Sequence, residues 1–215
     1  MSKAIVFDMD GVLFDTERVC RIVWMNIAEE IGFKEAETAL KNCTGLNRKS
    51  EAEYFAKNHP DVDFEAFISR LSRDFTEWIH KNGMPVKTGT RELLTWLREN
   101  MWKTALATSS RMESALHHLE MTGLRDMFDE IITGDIVEKG KPDPEIYLTA
   151  CEKLGSDPGE TYAVEDSRNG LWSAYNAGMK AILVPDLIEP TEDMLRIAYR
   201  KEDTLLGVLD FLKNQ

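Results

Sequence analysis

The chain has 215 residues, 43% of them hydrophobic and 30% charged, enough for a globular core of roughly 100 to 200 residues and a smaller second unit. Its formal net charge of -12 excludes a polyanion-binding surface, because neutralising a nucleic-acid backbone takes clustered Lys and Arg. No apolar run approaches the ~18 residues that span a bilayer, the N-terminus has no signal-peptide h-region, and the odd set Cys20, Cys43 and Cys151 lacks metal-type pairing, so a reducing cytoplasm is the expected location.

Ala4 to Phe7 is short, β-branched and apolar throughout, as a strand covered on both faces of a parallel sheet is. It stops at Asp8, Asp10 and Gly11. In open α/β sheets the carboxyl ends of the strands form the ligand crevice, which puts both aspartates at its floor. Alternation gives them one side and Met9 the other, while Gly11 permits a sharp turn and a close approach to the main chain. An Asx-type turn is the plainer explanation of this short string.

Val19, Ile22, Val23, Ile27 and Ile31 recur at helical spacing, and Gly32 supplies a stop. Helical segments follow at Glu35–Asn42, Arg48–Lys57 and Phe64–Lys81, with turns at Thr44-Gly45 and His59-Pro60 between them. Nothing between 16 and 85 reads as a buried parallel strand. The expected organisation is a core of residues 1–15 and 87–215 with an all-helical insert of residues 16–86. Short connections around Phe14–Glu17 and Asn82–Lys87 suit a double hinge for a lid that excludes water; a rigidly packed subdomain is the alternative.

From Thr88-Gly89 onward strands and helices alternate: helix 90–99, strand 103–107, helix 111–121, strand 130–132, helix 144–154, strand 161–164, helix 168–177 and strand 180–184. This rhythm predicts an α/β fold, a doubly wound parallel sheet with right-handed crossovers. The segment Met194–Leu212 adds helical or edge pieces without a firm assignment.

Three further strands end in polar groups. Leu106-Ala107 runs into Thr108-Ser109-Ser110-Arg111, where a hydroxyl and the free amides of a helix start suit a phosphate; a plain N-cap by Ser109 or Ser110 is the alternative. Strand 130–132 leads to Gly140-Lys141-Pro142-Asp143-Pro144, in which Pro144 suits the first turn of the next helix. Lys141 there supplies the local positive charge that the acidic chain otherwise lacks, unless it is merely solvated. Strand 161–164 ends in Glu165-Asp166-Ser167. Converging carboxylates at Asp8, Asp10, Glu165 and Asp166 repel by about 4 kcal/mol per pair at 4 Å and an effective dielectric of about 20, so they call for a cation or for protonation. Hard oxygen ligands favour Mg²⁺.

The string Asp-x-Asp-Gly-Val-Leu-x-Asp-Thr-Glu, the hydroxyls after Ala107, Gly140-Lys141-Pro142-Asp143-Pro144-Glu145-Ile146-Tyr147, Glu165-Asp166-Ser167 and Ala177-Gly178-Met179 resemble, in that order and over nearly the whole chain, the haloacid dehalogenase-like hydrolases, and within them the β-phosphoglucomutase-like sugar-phosphate phosphatases with a helical cap. The resemblance implies that Asp8 is a nucleophile giving an aspartyl-phosphate and that Asp10 is general acid, then base. Thr108, Ser109 and Lys141 would hold the phosphoryl group; Asp8, the backbone carbonyl of Asp10, Asp166 and, directly or through a second shell, Glu165 would bind Mg²⁺. A carboxylate that attacks phosphorus splits hydrolysis into two easier steps, and a metal with Lys141 neutralises the equatorial oxygens.

Specificity falls to the helical insert. Trp24 and the turn Gly45-Leu46-Asn47-Arg48 resemble positions that meet sugar phosphates; a core tryptophan and a solvated arginine are the alternatives. Arginine's bidentate fork favours a functional Arg48. The resemblance also gives the mutases a histidine on the first cap helix, where this chain has Cys20, and a cap lysine in a region where this chain has none between Lys57 and Lys81. The expected activity is therefore hydrolysis of a small sugar or polyol phosphate, with β-phosphoglucomutase as the runner-up. A non-catalytic binding role is disfavoured by the presence of both a nucleophile and an acid. The partner expected is a small phosphorylated metabolite acting on a monomer, with no nucleic acid and no membrane.

Overall fold

The computed structural model describes residues 3–44, 46, 48–187 and 189–215. The chain divides into two compact units, Met1–Asp15 with Met84–Gln215, and Thr16–Gly83.

The first unit is an α/β sandwich on a six-stranded sheet in the order β3-β2-β1-β4-β5-β6, with every neighbouring pair parallel. The strands are β1 (Ala4–Phe7), β2 (Lys103–Thr108), β3 (Glu130–Thr133), β4 (Thr161–Glu165), β5 (Lys180–Leu183) and β6 (Arg200–Lys201). Successive strands step outward from β1 to one edge and from β4 to the other. The crevice between β1 and β4 is therefore the switch point where open sheets bind ligands.

All four residues of β1 are buried, because helices cover both faces, as the continuous apolar run requires. One layer of the core joins Val6, Ala105, Ala107 and Ala163 of the sheet to Ile146, Tyr147, Ala150 and Leu154 of α7 (Glu145–Leu154) and to Leu171 and Ala174 of α8 (Arg168–Asn176). Small residues on the strands let those helices pack closely. The remaining helices of this unit are α5 (Thr90–Glu99), α6 (Met112–Thr122), α9 (Glu192–Ile197) and α10 (Leu205–Lys213).

The second unit holds α1 (Thr16–Ile31), α2 (Ala36–Cys43), α3 (Arg48–Asn58) and α4 (Phe64–Asn82). Trp24 of α1 packs edge-on against Phe55 of α3 and Phe67 of α4, with ring centroids 5.9 and 4.7 Å away. Asp63 caps α4 by accepting from the Ala66 amide at 3.0 Å. Gly45 and Asn47, in the turn expected before α3, lie outside the described residues.

Two differences from the sequence reading have plain causes. The core resumes at Met84 rather than residue 87, because the returning chain hydrogen-bonds to the departing one: the Asp15 amide donates to Pro85 O at 3.0 Å and the Lys87 amide to Leu13 O at 2.9 Å. In the unassigned C-terminal stretch, β6 is two exposed residues paired only to β5. Such an element leaves no hydrophobic pattern to read.

Candidate active site

The register of the sheet assembles the site. Phe7 pairs with Leu106 on one side and Val164 on the other, so the next residues, Asp8, Ala107 and Glu165, lie side by side at the carboxyl ends of adjacent strands. The Asp8 amide continues the ladder by donating to Val164 O at 3.0 Å. Asp8, Thr108 and Glu165 are all buried, Glu165 fully.

Lys141 closes the arrangement. Its ammonium donates to Asp8 Oδ1 at 2.6 Å, Glu165 Oε1 at 2.6 Å and Ala107 O at 3.0 Å, which uses all three of its N–H groups. Only 7% of the side chain is exposed, so the solvated lysine of the alternative reading is ruled out. The loop carrying it is pinned from both ends. The Glu145 carboxylate accepts from the amides of Glu138 and Lys139 at 2.8 and 2.9 Å, and Ser173 of α8 donates to Asp143 O at 2.5 Å.

The charges perturb one another as their burial demands. Burial pushes the Asp8 carboxyl up to about 7, with the Glu165 and Asp10 charges adding to the rise and Lys141 opposing it. Burial works against the Lys141 charge, but the carboxylates of Asp8 and Glu165 outweigh it and hold the ammonium above its usual range. Burial and the neighbouring Glu165 also raise the Tyr147 phenol well above its ordinary value.

Asp8, Glu165 and Asp166 each bring a carboxylate oxygen within 4.8 Å of the others. A set of hard oxygens at that spacing fits a divalent cation such as Mg²⁺. Gly11 makes room for the Asp166 carboxylate of that set: its φ is 77°, and an added Cβ would overlap Asp166 Oδ2. Gly170, at the start of α8, similarly leaves space for the Glu165 carboxylate.

Asp10 stands apart from that cluster, with its Oδ2 accepting from the Ser110 hydroxyl at 3.1 Å. Thr108 Oγ1 accepts from the Ser110 amide at 3.0 Å, and Ser109 is exposed. Neither serine caps the following helix. It begins at Met112 behind Arg111, without a side-chain cap from that residue, and the Met112 amide donates to Asp135 Oδ1 at 3.2 Å. Ser110 thus does not take the capping role that was its alternative reading, and its hydroxyl donates to Asp10 instead.

The structure brings Asp8, Thr108, Lys141, Glu165 and Asp166 together at the strand ends. Trp24 and Arg48 belong to the helical unit. Trp24 is buried there and its indole N–H donates to Ala36 O at 3.0 Å, which is the packing expected of a core tryptophan. Arg48 pairs with Glu65 at 2.8 Å and stacks 4.4 Å from the Phe64 ring centre. Tyr147, unnoticed as a site residue, donates its hydroxyl to Glu165 Oε1 at 2.6 Å. The signal was available: a phenol on the otherwise apolar stripe of α7 must find an acceptor.

A family model described as haloacid dehalogenase-like hydrolase matches residues 5–184. The chain belongs to this family. A phosphorylated carbohydrates phosphatase of Thermotoga maritima is 34% identical over 84% of this chain and 83% of its own length. A beta-phosphoglucomutase of Bacillus subtilis is 30% identical over 84% of this chain and 82% of its own. The crystal structure of a HAD family hydrolase from Deinococcus radiodurans, with bound phosphate and sodium, superposes with a TM-score of 0.84 at 26% identity, covering 99% of this chain and 96% of that one. The doubly wound sheet is thus the hydrolase core of this family. No helix among the described residues is long and apolar enough to cross a membrane.

Proposed function

We propose that the chain is a Mg²⁺-dependent phosphomonoester hydrolase acting on a small sugar or polyol phosphate through an aspartyl-phosphate on Asp8. The observation that carries this reading is the Lys141 ammonium, held 2.6 Å from both Asp8 Oδ1 and Glu165 Oε1. A buried carboxylate beside a buried cation, next to a cluster suited to a metal, is an arrangement for attacking phosphorus and neutralising the oxygens around it.

In this reading Asp8 and Asp166, with the Asp10 carbonyl, hold Mg²⁺, and Glu165 serves directly or behind them. When bound, the ion withdraws charge from the phosphoryl oxygens and balances the carboxylates. Lys141 and Thr108 bind the phosphoryl group and Ser109 offers it a further donor. Asp8 Oδ attacks phosphorus as the ester P–O bond breaks, and Asp10 gives its proton to the departing alkoxide. Water then attacks the phosphorus of the aspartyl-phosphate, Asp10 takes a proton from it, and the Asp8 carboxylate leaves with inorganic phosphate as product. Ser110 keeps Asp10 aimed between the two steps.

We assign the choice of leaving group to the helical unit, residues 16–83, acting as a cap, and within it to Arg48. Trp24 serves that unit as core. The similarity to a phosphorylated carbohydrates phosphatase supports a sugar-like leaving group.

Mutase activity is the second reading, favoured by the similarity to a beta-phosphoglucomutase. Against it, the position that the family resemblance gives to the mutases' histidine is Cys20. Burial, with the charges of Glu17 and Glu51, pushes its thiol up to about 12. Such a group does not exchange protons near neutrality.

The test is to incubate the protein with Mg²⁺ and a panel of hexose, pentose, polyol and nucleoside monophosphates, including β-glucose 1-phosphate, and measure free phosphate and isomerised sugar phosphate. Release of phosphate that Asp8→Asn abolishes supports the hydrolase; isomerisation without net release makes the chain a mutase.

A further inference from the structure

The Glu165 carboxylate has no acceptor capacity to spare. Its Oε1 accepts from Lys141 Nζ at 2.6 Å and from Tyr147 Oη at 2.6 Å, and its Oε2 from the Ser167 hydroxyl at 3.1 Å and the Ser167 amide at 3.4 Å. An ionised carboxylate has about four lone-pair sites. A direct bond to a cation would therefore displace one of these donors.

Tyr147 touches both members of the Lys141–Glu165 pair. It is fully buried on α7, its hydroxyl donates to the carboxylate, and its ring centre lies 5.1 Å from the Lys141 ammonium, within the range of a cation–π contact. One oxygen of Glu165 already lies within 4.8 Å of oxygens on Asp8 and Asp166, so it is the donors on this carboxylate, not distance, that stand between it and direct ligation of a cation. The Tyr147 hydroxyl is one of those donors.

We propose that Tyr147 is a positioning residue that keeps Glu165 out of the direct ligand set of the metal and makes it the carboxylate that aims Lys141 at the phosphoryl group. The inference rests on the phosphatase reading above and adds a division of labour within it. Asp8 and Asp166 serve the cation, and Tyr147 and Glu165 serve the lysine.

Calorimetric titration of the full chain tests it, first with Mg²⁺ alone and then with inorganic phosphate at saturating Mg²⁺. Wild type is compared with Tyr147→Phe, which keeps the ring and removes only the hydroxyl. The expected result is phosphate affinity weakened about tenfold, the scale of one hydrogen bond to a charged group, with Mg²⁺ affinity equal to or tighter than wild type. Unchanged phosphate affinity would overturn the inference. So would a parallel loss of Mg²⁺ affinity, which would make Glu165 a ligand that Tyr147 orients. If Tyr147→Phe does not fold, Glu165→Gln carries the same test: phosphate affinity must fall further than Mg²⁺ affinity, and the reverse order overturns the proposal. Wild type that binds phosphate no better than Lys141→Met would contradict the phosphatase reading itself, and this inference with it.

Discussion

Lys141 and Asp8, 133 residues apart in sequence, meet at 2.6 Å beneath the carboxyl ends of the central strands. Neither is stable there alone. Removing one partner of a buried ion pair leaves an uncompensated charge, at a cost of about 3–5 kcal/mol. Lys141→Met should therefore lower the melting temperature as well as phosphate release, the latter by about a hundred- to a thousand-fold, as for the loss of a donor aimed at developing charge. Lys141→Arg should not restore activity, because the planar fork cannot reproduce three donors converging from one nitrogen. Thermal unfolding and steady-state kinetics on both variants check this.

Gly11 lies where the backbone turns under Asp166. Gly11→Ala must hold a side chain at a φ of 77° and displace the Asp166 carboxylate that its Cβ would overlap. Strain of this kind costs about 1–3 kcal/mol, a fall of roughly 2–4 °C in melting temperature per kcal/mol for a chain of this size. Mg²⁺ should also bind more weakly, which titration calorimetry measures. A variant with wild-type Mg²⁺ affinity would separate Gly11 from the metal cluster.

Cys20 is predicted to be an inert thiol. With its thiol pushed up to about 12, its thiolate fraction at pH 8 is far below that of a free cysteine, whose pKa is about 8.5. Alkylation by iodoacetamide at pH 8, followed by peptide mapping, should leave Cys20 largely unmodified in the native protein and label it on unfolding. The sign of the linkage follows. The folded state keeps this proton to higher pH than the unfolded state, so stability falls as pH rises from about 8.5 towards 12. Cys20→Ala should flatten that fall. Native labelling of Cys20 at the rate of a free thiol would contradict the assignment.

Arg48 offers a test of specificity that leaves the chemistry alone. Its partner Glu65 is largely exposed, and exposed pairs are worth about 0–1 kcal/mol, so Arg48→Ala should melt close to wild type. It should raise KM for the preferred sugar phosphate and leave the turnover of p-nitrophenyl phosphate, which has no sugar hydroxyls, unchanged. Equal losses on both substrates would remove Arg48 from recognition.

Mg²⁺ should stabilise the folded chain by mass action, by about 2.7 kcal/mol at a hundred times its dissociation constant, and so raise the melting temperature. Asp166→Asn should weaken that response in differential scanning fluorimetry. An identical response in the variant would mean that the ion binds elsewhere.

Much of the core was legible in the sequence because its signals are local. The apolar run of β1 ends abruptly at Asp8, Gly32 stops α1, and the alternation from Thr90 to Leu183 reads as a doubly wound sheet. What escaped depends on distant partners. Lys141 stands out in the sequence as the local positive charge, but its bonds to Asp8 and Glu165, and the Tyr147 hydroxyl on Glu165, exist only once the sheet brings these residues together. Ser110 reads as a helix cap until Asp135 takes that position and leaves its hydroxyl to Asp10. Trp24 reads equally well as ligand contact or core, and only the closure of α1 on α4 decides for packing. β6 is invisible because two exposed residues carry no periodicity.

The most direct test of the account is to mix the protein with a ³²P-labelled sugar phosphate and Mg²⁺, quench in acid within a single turnover, and map the label by peptide digestion. The account predicts acid-stable label on the peptide containing Asp8, decaying as inorganic phosphate appears and absent from Asp8→Asn. Release of labelled phosphate from the wild type with no label on that peptide at any time would mean that water attacks the substrate directly and that Asp8 is not the nucleophile.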